Sequence, residues 1–477
     1  MSPSDDSPNA AAANASNDPW YKGITKYEWL VLIIACLGWI FDVFEGQIFV
    51  ASMRDAIPSL LSLSPEHPDV SKWNDWGFAA FAFGGALGGI FFGMLSDKIG
   101  RSRTMIFTIL FYSLFTLVQA FVTAPWQLMV LRFLVAMGVG GEWAVASAMV
   151  AEVMPERVRH ITSSIFHASS VLGTLLAAAA GAYVVNNPNL GWRWGFAIGV
   201  LPALLTLWIR WRLREPEKWT KAQRAVEARQ TGAAGSIGDL FRGENLRNTL
   251  VGMSLASIGL ITFWGCHIYG KNALLDRAQK QALIAEGVSL TPPSKEGLSP
   301  EEIVAVMKPY NEAKGRAFSK HDTKKAEMRS MVLNTIGGGL GLVLFGWFSQ
   351  RMGRKGAFIF YHLLGFVVAI LLFKVLIPSE VSSLVLALVL PIFGFFTLGM
   401  HAGYAVYFPE LFPTRLRGTG AGFCFNGGRI LQGIAFFAIG ALGLAPAVKA
   451  VYLAPLYLLG AVVVLFGRET RGRDLPE

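Results

Sequence analysis

The sequence predicts an all-α membrane protein with twelve transmembrane helices in two six-helix repeats. Three observations carry this expectation. Apolar residues make up 53% of the 477 and charged residues only 16%, against roughly 25% charge in a soluble domain; mean hydropathy is +0.45. The apolar residues fall in uninterrupted blocks of about 20, the length that crosses ~30 Å of hydrocarbon. Finally, two polar motifs recur at similar intervals. Gly93-Met94-Leu95-Ser96-Asp97-Lys98-Ile99-Gly100-Arg101-Ser102-Arg103 returns 253 residues later as Gly346-Trp347-Phe348-Ser349-Gln350-Arg351-Met352-Gly353-Arg354-Lys355. Glu152-Val153-Met154-Pro155-Glu156-Arg157-Val158-Arg159 returns after 258 as Glu410-Leu411-Phe412-Pro413-Thr414-Arg415-Leu416-Arg417. Near-equal offsets at two unrelated motifs mean two halves of the same orientation.

In chain order, residues 1–27 are Ser/Asn/Ala/Asp-rich at their start, with Asp5, Asp6 and Asp18 and no apolar core. They read as a disordered cytosolic tail rather than a signal peptide. The N-terminal half, 28–213, holds spans near 28–52, 74–96, 103–122, 126–153, 161–185 and 192–213. A polar segment, 214–247, carries the Gly232–Gly238 stretch and reads as a cytosolic linker. The C-terminal half, 248–467, holds spans near 248–271, 330–350, 357–377, 383–409, 418–443 and 446–467, followed by a cytosolic tail over 468–477. Within it, 272–329 is a charge-balanced insertion. Its Ser299-Pro300-Glu301-Glu302 run reads as a capping box with proline at the first helical position. We expect a solvated helical insertion with no transport role rather than a lid or partner site.

Charge sets the orientation. Twenty-four basic residues fall in the tails and loops on one side, and only Arg54, Lys72, Arg193, Lys374 and Lys449 in the short loops on the other. By the positive-inside rule both termini are cytosolic. The net charge of +10 is thereby explained without nucleic acid. Cys36, Cys266 and Cys424 all lie inside apolar blocks with neither metal-ligand spacing nor a disulfide framework. No nucleophile–base element, phosphate loop or metal cluster stands out, so neither an enzyme nor a cofactor is expected.

Ionisable groups within spans are the candidate site, because each costs about 2.5–3.5 kcal/mol on insertion scales. Asp42 and Glu45 lie at i,i+3 on one face of the first span, at a depth matching Arg132 on the fourth. A carboxylate–guanidinium pair there can be loaded by a proton, which frees the arginine. Glu142, also on the fourth span, is grouped with Arg132 as the coupled pair. In the second half, His401 and Tyr404 lie at i,i+3, as do Asn426 and Arg429, all near mid-membrane. Arg429 has no acidic partner in the other spans of its half, so it reads as an anion ligand. In the repeated loop, Gly93 allows close helix approach and Gly100 a tight turn. Asp97 can accept from Arg101, Arg103 or a helix N-terminus. Glu152 is expected to pair with Arg157 or Arg159, and Glu410 with Arg415 or Arg417. Gln350 leaves the second loop without its acid.

The Gly93–Arg103 loop, with its second copy, resembles the signature loop of the major facilitator superfamily. Glu152, Glu410 and their arginines resemble the charge networks that close one of its two access states. Gly140-Gly141-Glu142-Trp143 resembles both metabolite–proton symporters and sialate/lactate-type permeases. The run from Pro409 through Asn426-Gly427-Gly428-Arg429 looks most like the sialate/lactate and aromatic-acid–proton symporter groups, and Asp42 with Glu45 is similar to their paired acids. Arg214-Glu215-Pro216-Glu217 and Arg468-Glu469-Thr470-Arg471-Gly472-Arg473 look like degraded sugar-porter signatures, but the paired glutamines of the sugar-porter seventh helix are absent from 255–271. The resemblance implies the major facilitator fold and proton-coupled symport of a small organic anion by alternating access. It implies a functional monomer in the cell membrane whose partners are substrate, protons and the lipid bilayer. Rival readings are a proton symporter of a sugar or zwitterionic metabolite, and a non-transporting membrane sensor.

Overall fold

The computed structural model describes residues 19–477 apart from 64–67, 186, 188, 203, 205–207, 209–211, 229–231, 268, 271–272, 295–296, 298–299, 322 and 441–445. Most of the expected N-terminal tail, and the Ser299 end of the expected capping box, lie outside the described residues.

Helix α1 (Lys26–Leu61) opens on a capping box. The Glu28 amide donates to Thr25 Oγ1 at 3.2 Å, and the Thr25 amide donates to Glu28 Oε2 at 2.7 Å. Then come α2 (Pro68–Ile99), α3 (Arg101–Gln119) and α4 (Pro125–Val153), which starts on proline. The fifth span is built from α5 (Glu156–Ala168), α6 (Ser170–Ala180) and a π turn over Gly181–Val185; α7 (Gly191–Ala197) opens the sixth. Short helices α8 (Glu217–Glu227) and α9 (Ile237–Leu240) lie in the linker.

In the second half, α10 (Gly243–Thr262) runs into a π turn over Phe263–His267. The insertion carries α11 (Ala273–Ala285) and α12 (Pro300–Lys320), the latter beginning on its proline. These pack through Ala282, Leu283 and Ala317. Glu286 joins them to Lys320 and His321, whose hydrogen bonds hold its carboxyl below the usual range. Lys280 pairs with Glu380, tying the insertion to the connection after the ninth span. Helix α13 (Thr323–Ile370) contains the eighth span and most of the ninth. A loop was expected between them, but the chain turns at Gly353 alone (φ 80°, ψ 166°). Gly100 does the same between α2 and α3 (φ 112°, ψ 157°). Both glycines take backbone angles closed to residues with a Cβ. Last come α14 (Ser383–Gly399) and α15 (Ala402–Leu411) in the tenth span, α16 (Arg417–Gly440) in the eleventh, and α17 (Pro446–Leu453) with α18 (Pro455–Val463) in the twelfth.

Among the described residues there are no strands, and eight helices are long and apolar enough to cross a membrane. Lipid-facing apolar side chains such as Phe83, Leu114, Leu340 and Leu388 are more than half exposed, a surface that only hydrocarbon solvates without penalty. This is the expected twelve-helix, two-repeat fold of a multi-pass membrane protein. Its repeat extends into the apolar spans. Gly84 and Gly88 of α2 lie against the backbone of Phe133 and Met137 of α4, and Gly337 and Gly341 of α13 lie against Pro391 and Phe395 of α14 in the same way.

Between the halves, α2 meets α16. A Cβ at Gly85 would overlap Arg429, one at Gly89 would overlap Asn426, and one at Gly93 would lie 2.7 Å from the Gly418 carbonyl oxygen. Residues four apart share a helix face, so Gly85, Gly89 and Gly93 form one stripe that admits the partner backbone.

Candidate functional site

Two polar layers follow from this architecture. The first lies where α2, α4 and α15 end and where α13 turns at Gly353, on the face that also carries both described chain ends. Arg101 is fully buried. Its guanidinium donates to Asp97, to Ser96 Oγ (3.2 Å), to both carboxylate oxygens of Glu152 (3.3 and 2.8 Å) and to the Thr414 carbonyl of the other half (3.0 Å). Asp97 accepts from the amides of Gly418 and Thr419 (3.1 and 2.8 Å) and from Thr419 Oγ1 (2.5 Å). It thereby caps α16 across the interface, where a carboxylate meets the positive end of the helix dipole.

The expected local pairs do not form. Glu152 takes Arg101 and Arg417 (2.9 Å), not Arg157 or Arg159. Glu410 takes Arg354 (3.0 and 2.9 Å) and Thr470 Oγ1 (2.5 Å), not Arg415 or Arg417. The Pro155 turn starts a new helix and carries Arg157 out to the surface. Arg159 is buried, within electrostatic reach of Glu410, and Arg415 pairs with Asp239 of the linker at 2.7 Å. Through the glycine turns, Arg101 and Arg354 enter the space that the local arginines leave. Arg103 is exposed and contributes its backbone amide, which donates to Glu215.

Sequence reasoning placed Glu215 and Glu469 only within the degraded sugar-porter signatures and assigned neither a role. Glu215 accepts from the amides of Arg101, Ser102 and Arg103 (2.6, 3.2 and 3.2 Å). Glu469 accepts from those of Arg354 and Lys355 (2.8 and 3.1 Å). Each carboxylate caps the helix after a glycine turn. Their separation of 254 residues matches the other repeats and was the available signal. The chain end adds a strap: the Pro476 carbonyl accepts from Arg417 Nη2 at 2.9 Å, and Leu475 is buried.

The second layer lies mid-membrane. Arg132 pairs with Glu45 at 3.0 Å, donates to the Gly46 carbonyl at 3.2 Å and lies 4.2 Å from the ring centroids of both Phe49 and Phe81. Glu142, grouped with Arg132 from sequence, is not its partner. Ten residues along one helix place them ~15 Å apart. Glu142 instead accepts from Thr108 Oγ1 at 2.5 Å and lies against Gly38 of α1. Asp42 is 1% exposed, with Glu142, Tyr112, Arg429 and Glu45 as its ionisable neighbours.

Across the interface, Arg429 is half-buried, and its Nη1 is sealed from water without a hydrogen-bond partner. Among the described residues no carboxylate lies within ion-pair distance of it. Asn426 Nδ2 donates to the carbonyls of Gly422 (3.1 Å) and Gly140 (3.4 Å), leaving Oδ1 unpartnered. His401 Nδ1 sits 3.1 Å from the Leu398 carbonyl oxygen, with Nε2 unpartnered. The Tyr404 hydroxyl is occupied, donating to the Leu255 carbonyl at 3.1 Å. Three of the four second-half candidates thus present a spare polar atom, and Tyr404 does not. No group of three His, Cys, Asp or Glu side chains among the described residues is disposed to hold a metal.

Comparison with known proteins bears on this arrangement. A family model described as "Sugar (and other) transporter" matches residues 32–247. The sialic acid transporter NanX of Escherichia coli strain K12 is 26% identical over 445 residues, covering 92% of this chain and 91% of its own. The gentisate transporter of Corynebacterium glutamicum is 25% identical over 426 residues, covering 88% and 83%. Among solved structures, the proton:xylose symporter XylE bound to 6-bromo-6-deoxy-D-glucose superposes with a TM-score of 0.70 at 16% identity, covering 95% of this chain and 98% of that one. Over most of its length this chain is thus similar to membrane transporters, and it shares the fold of the XylE symporter.

Proposed function

We propose that the chain is a proton-coupled symporter of a small organic anion, a monocarboxylate, aromatic acid or sugar acid, working by alternating access. The observation that carries this reading is Arg429. Twelve residues into α16 from Arg417, it lies ~18 Å from the polar face, near mid-membrane. It is half-buried at the boundary between the halves, with Nη1 unpartnered. A desolvated guanidinium without a protein anion favours a bound one. Asn426 Oδ1 and His401 Nε2 offer further polar contacts. The two relatives' names, sialic acid and gentisate, both denote carboxylic acids.

Coupling is assigned to Asp42, Glu45, Arg132 and Glu142. Asp42, Glu45 and Glu142 are buried, and only Glu45 is ion-paired, with Arg132, so a proton carried by one of these acids is the candidate coupling event. Gating is assigned to Gly93, Asp97, Gly100, Arg101, Arg103, Glu152, Arg157, Arg159, Glu410, Arg415 and Arg417. The bonds from Asp97, Arg101 and Glu152 to the second half close the basic face. That face is cytosolic by its charge, so the conformation described is sealed toward the cytosol. The protein acts as a monomer in the cell membrane, with both termini inside.

The test is a thermal-shift screen of purified protein against sugars, amino acids and carboxylates, with Arg429→Ala alongside. Specific binders stabilise by mass action. Carboxylates should stabilise the wild type and not Arg429→Ala, which stays folded in detergent. Normal carboxylate binding by Arg429→Ala, or stabilisation by sugars alone, contradicts the anion assignment.

A further inference from the structure

We propose that residues 474–476 are a state-selective strap: they hold the basic face shut, and freeing them opens that face. The inference rests on alternating access as read above and not on the identity of the anion. The root of the segment is fixed to the second half. Thr470 Oγ1 donates to Glu410 Oε2 at 2.5 Å, the Tyr407 hydroxyl donates to the Arg468 carbonyl at 2.6 Å, and Arg471 Nη1 donates to the Arg351 carbonyl at 2.9 Å. The chain then turns. The Arg473 amide donates to the Thr470 carbonyl at 3.2 Å, and Gly472 inside the turn takes φ 66°, a value that favours glycine.

Past the turn, the tip reaches the junction of the halves. The Pro476 carbonyl accepts from Arg417 Nη2 at 2.9 Å and from Thr414 Oγ1 at 3.4 Å. These two residues bridge the halves: Arg417 Nη1 donates to Glu152, and the Thr414 carbonyl accepts from Arg101. Asp474 lies within electrostatic reach of Arg159 on α5 and Lys218 on α8. Trp219, next to Lys218, donates to the Asp97 carbonyl at 3.0 Å and ties α8 to the first half. Between these two anchors Leu475 is buried, although it belongs to a polar tail. A segment rooted on one half and attracted to the other keeps all its contacts only while the halves are together. A contact present in one state alone shifts the equilibrium toward that state. One buried apolar side chain and one ionic attraction bias it by about three- to tenfold.

Cysteine labelling in membrane vesicles reads the two states, in a chain with Cys36, Cys266 and Cys424 changed to alanine. Ala144 is buried on α4, and a Cβ at Gly422 of the other half would lie 3.1 Å from its own. It lies eight residues from Glu152, about 12 Å toward mid-membrane. Ala144→Cys therefore meets an impermeant maleimide from the basic side only when that face opens. Gly433, one turn beyond Arg429 on α16, has open space where a Cβ would stand, so Gly433→Cys reports from the opposite side. Deleting 474–477, or Leu475→Ser, should raise labelling of Ala144→Cys about three- to tenfold and lower that of Gly433→Cys. Asp474→Asn should shift both by about twofold and carries the test if the other variants fail to fold. Unchanged labelling in the folded variants overturns the strap, and so does a rise at both reporters, the mark of general loosening. Glu152→Gln separates the strap from the gate beneath it, because it breaks the bridges to Arg101 and Arg417. If it moves both reporters and the tail variants do not, the strap falls and the gate stands. If it moves neither, alternating access at this face falls together with the strap.

Discussion

Arg132 shows how a buried charge is made tolerable. Its guanidinium has a carboxylate at 3.0 Å, a backbone carbonyl at 3.2 Å and an aromatic ring near each face, so the desolvation penalty is largely offset within the site. Arg132→Ala strands Glu45 and should cost about 3–5 kcal/mol, read as a large drop in melting temperature in detergent. Adding Glu45→Gln should recover a substantial part, since the stranded charge is what costs. Additive losses in the double variant would show that the pair is not coupled. That an arginine on the fourth span meets an acid on the first was legible from helix rise alone. The choice of Glu45 over Glu142 follows from depth, because Glu142 sits too far along the same helix. Arg429 was legible as an arginine without an acid in its half. The spare atoms around it, and the occupied hydroxyl of Tyr404, depend on side-chain directions that spacing does not encode.

At the scale of elements, the glycine turns organise the charge network. Gly100 and Gly353 send Arg101 and Arg354 inward, and Glu215 and Glu469 cap the helices they begin. The repeat was readable, but its pairings were not, because an arginine two turns away by sequence loses to one delivered across a turn from another helix. The two copies differ at one position. Asp97 caps α16, while Gln350 is exposed and no side chain caps α5. Gly346 nevertheless meets the His160 carbonyl as Gly93 meets that of Gly418, so the geometry for a second latch is in place. Gln350→Asp should add a carboxylate near the start of α5, worth about 0.3–1 kcal/mol. That amounts to a few-fold shift toward the state closed on the basic face. Cysteines introduced in the cavity should then label more readily from the opposite side; unchanged labelling on both sides would mean that an acid here does not act as a latch.

For the whole molecule, the two polar layers do different work. The layer at the basic face joins the halves through Asp97, Arg101, Glu152 and Arg417. The mid-membrane layer holds more acid than paired base, and an arginine whose Nη1 has no hydrogen-bond partner. Hydropathy and the repeat made the twelve-span architecture legible. Spans 8 and 9 joined at a single glycine were not anticipated, because a loop and a one-residue turn look alike in composition. The central claim is that Asp42 or Glu45 carries the proton that drives anion uptake, with Asp42 favoured because it lies nearer Arg429 in depth and charge. The direct measurement is carboxylate transport in proteoliposomes, as uphill uptake driven by a pH gradient and as counterflow exchange, for wild type, Asp42→Asn and Glu45→Gln. The variant lacking the essential acid should lose uphill uptake and keep counterflow, which needs no net proton movement. If both variants still concentrate the carboxylate with the gradient, coupling does not run through α1, and the account is contradicted.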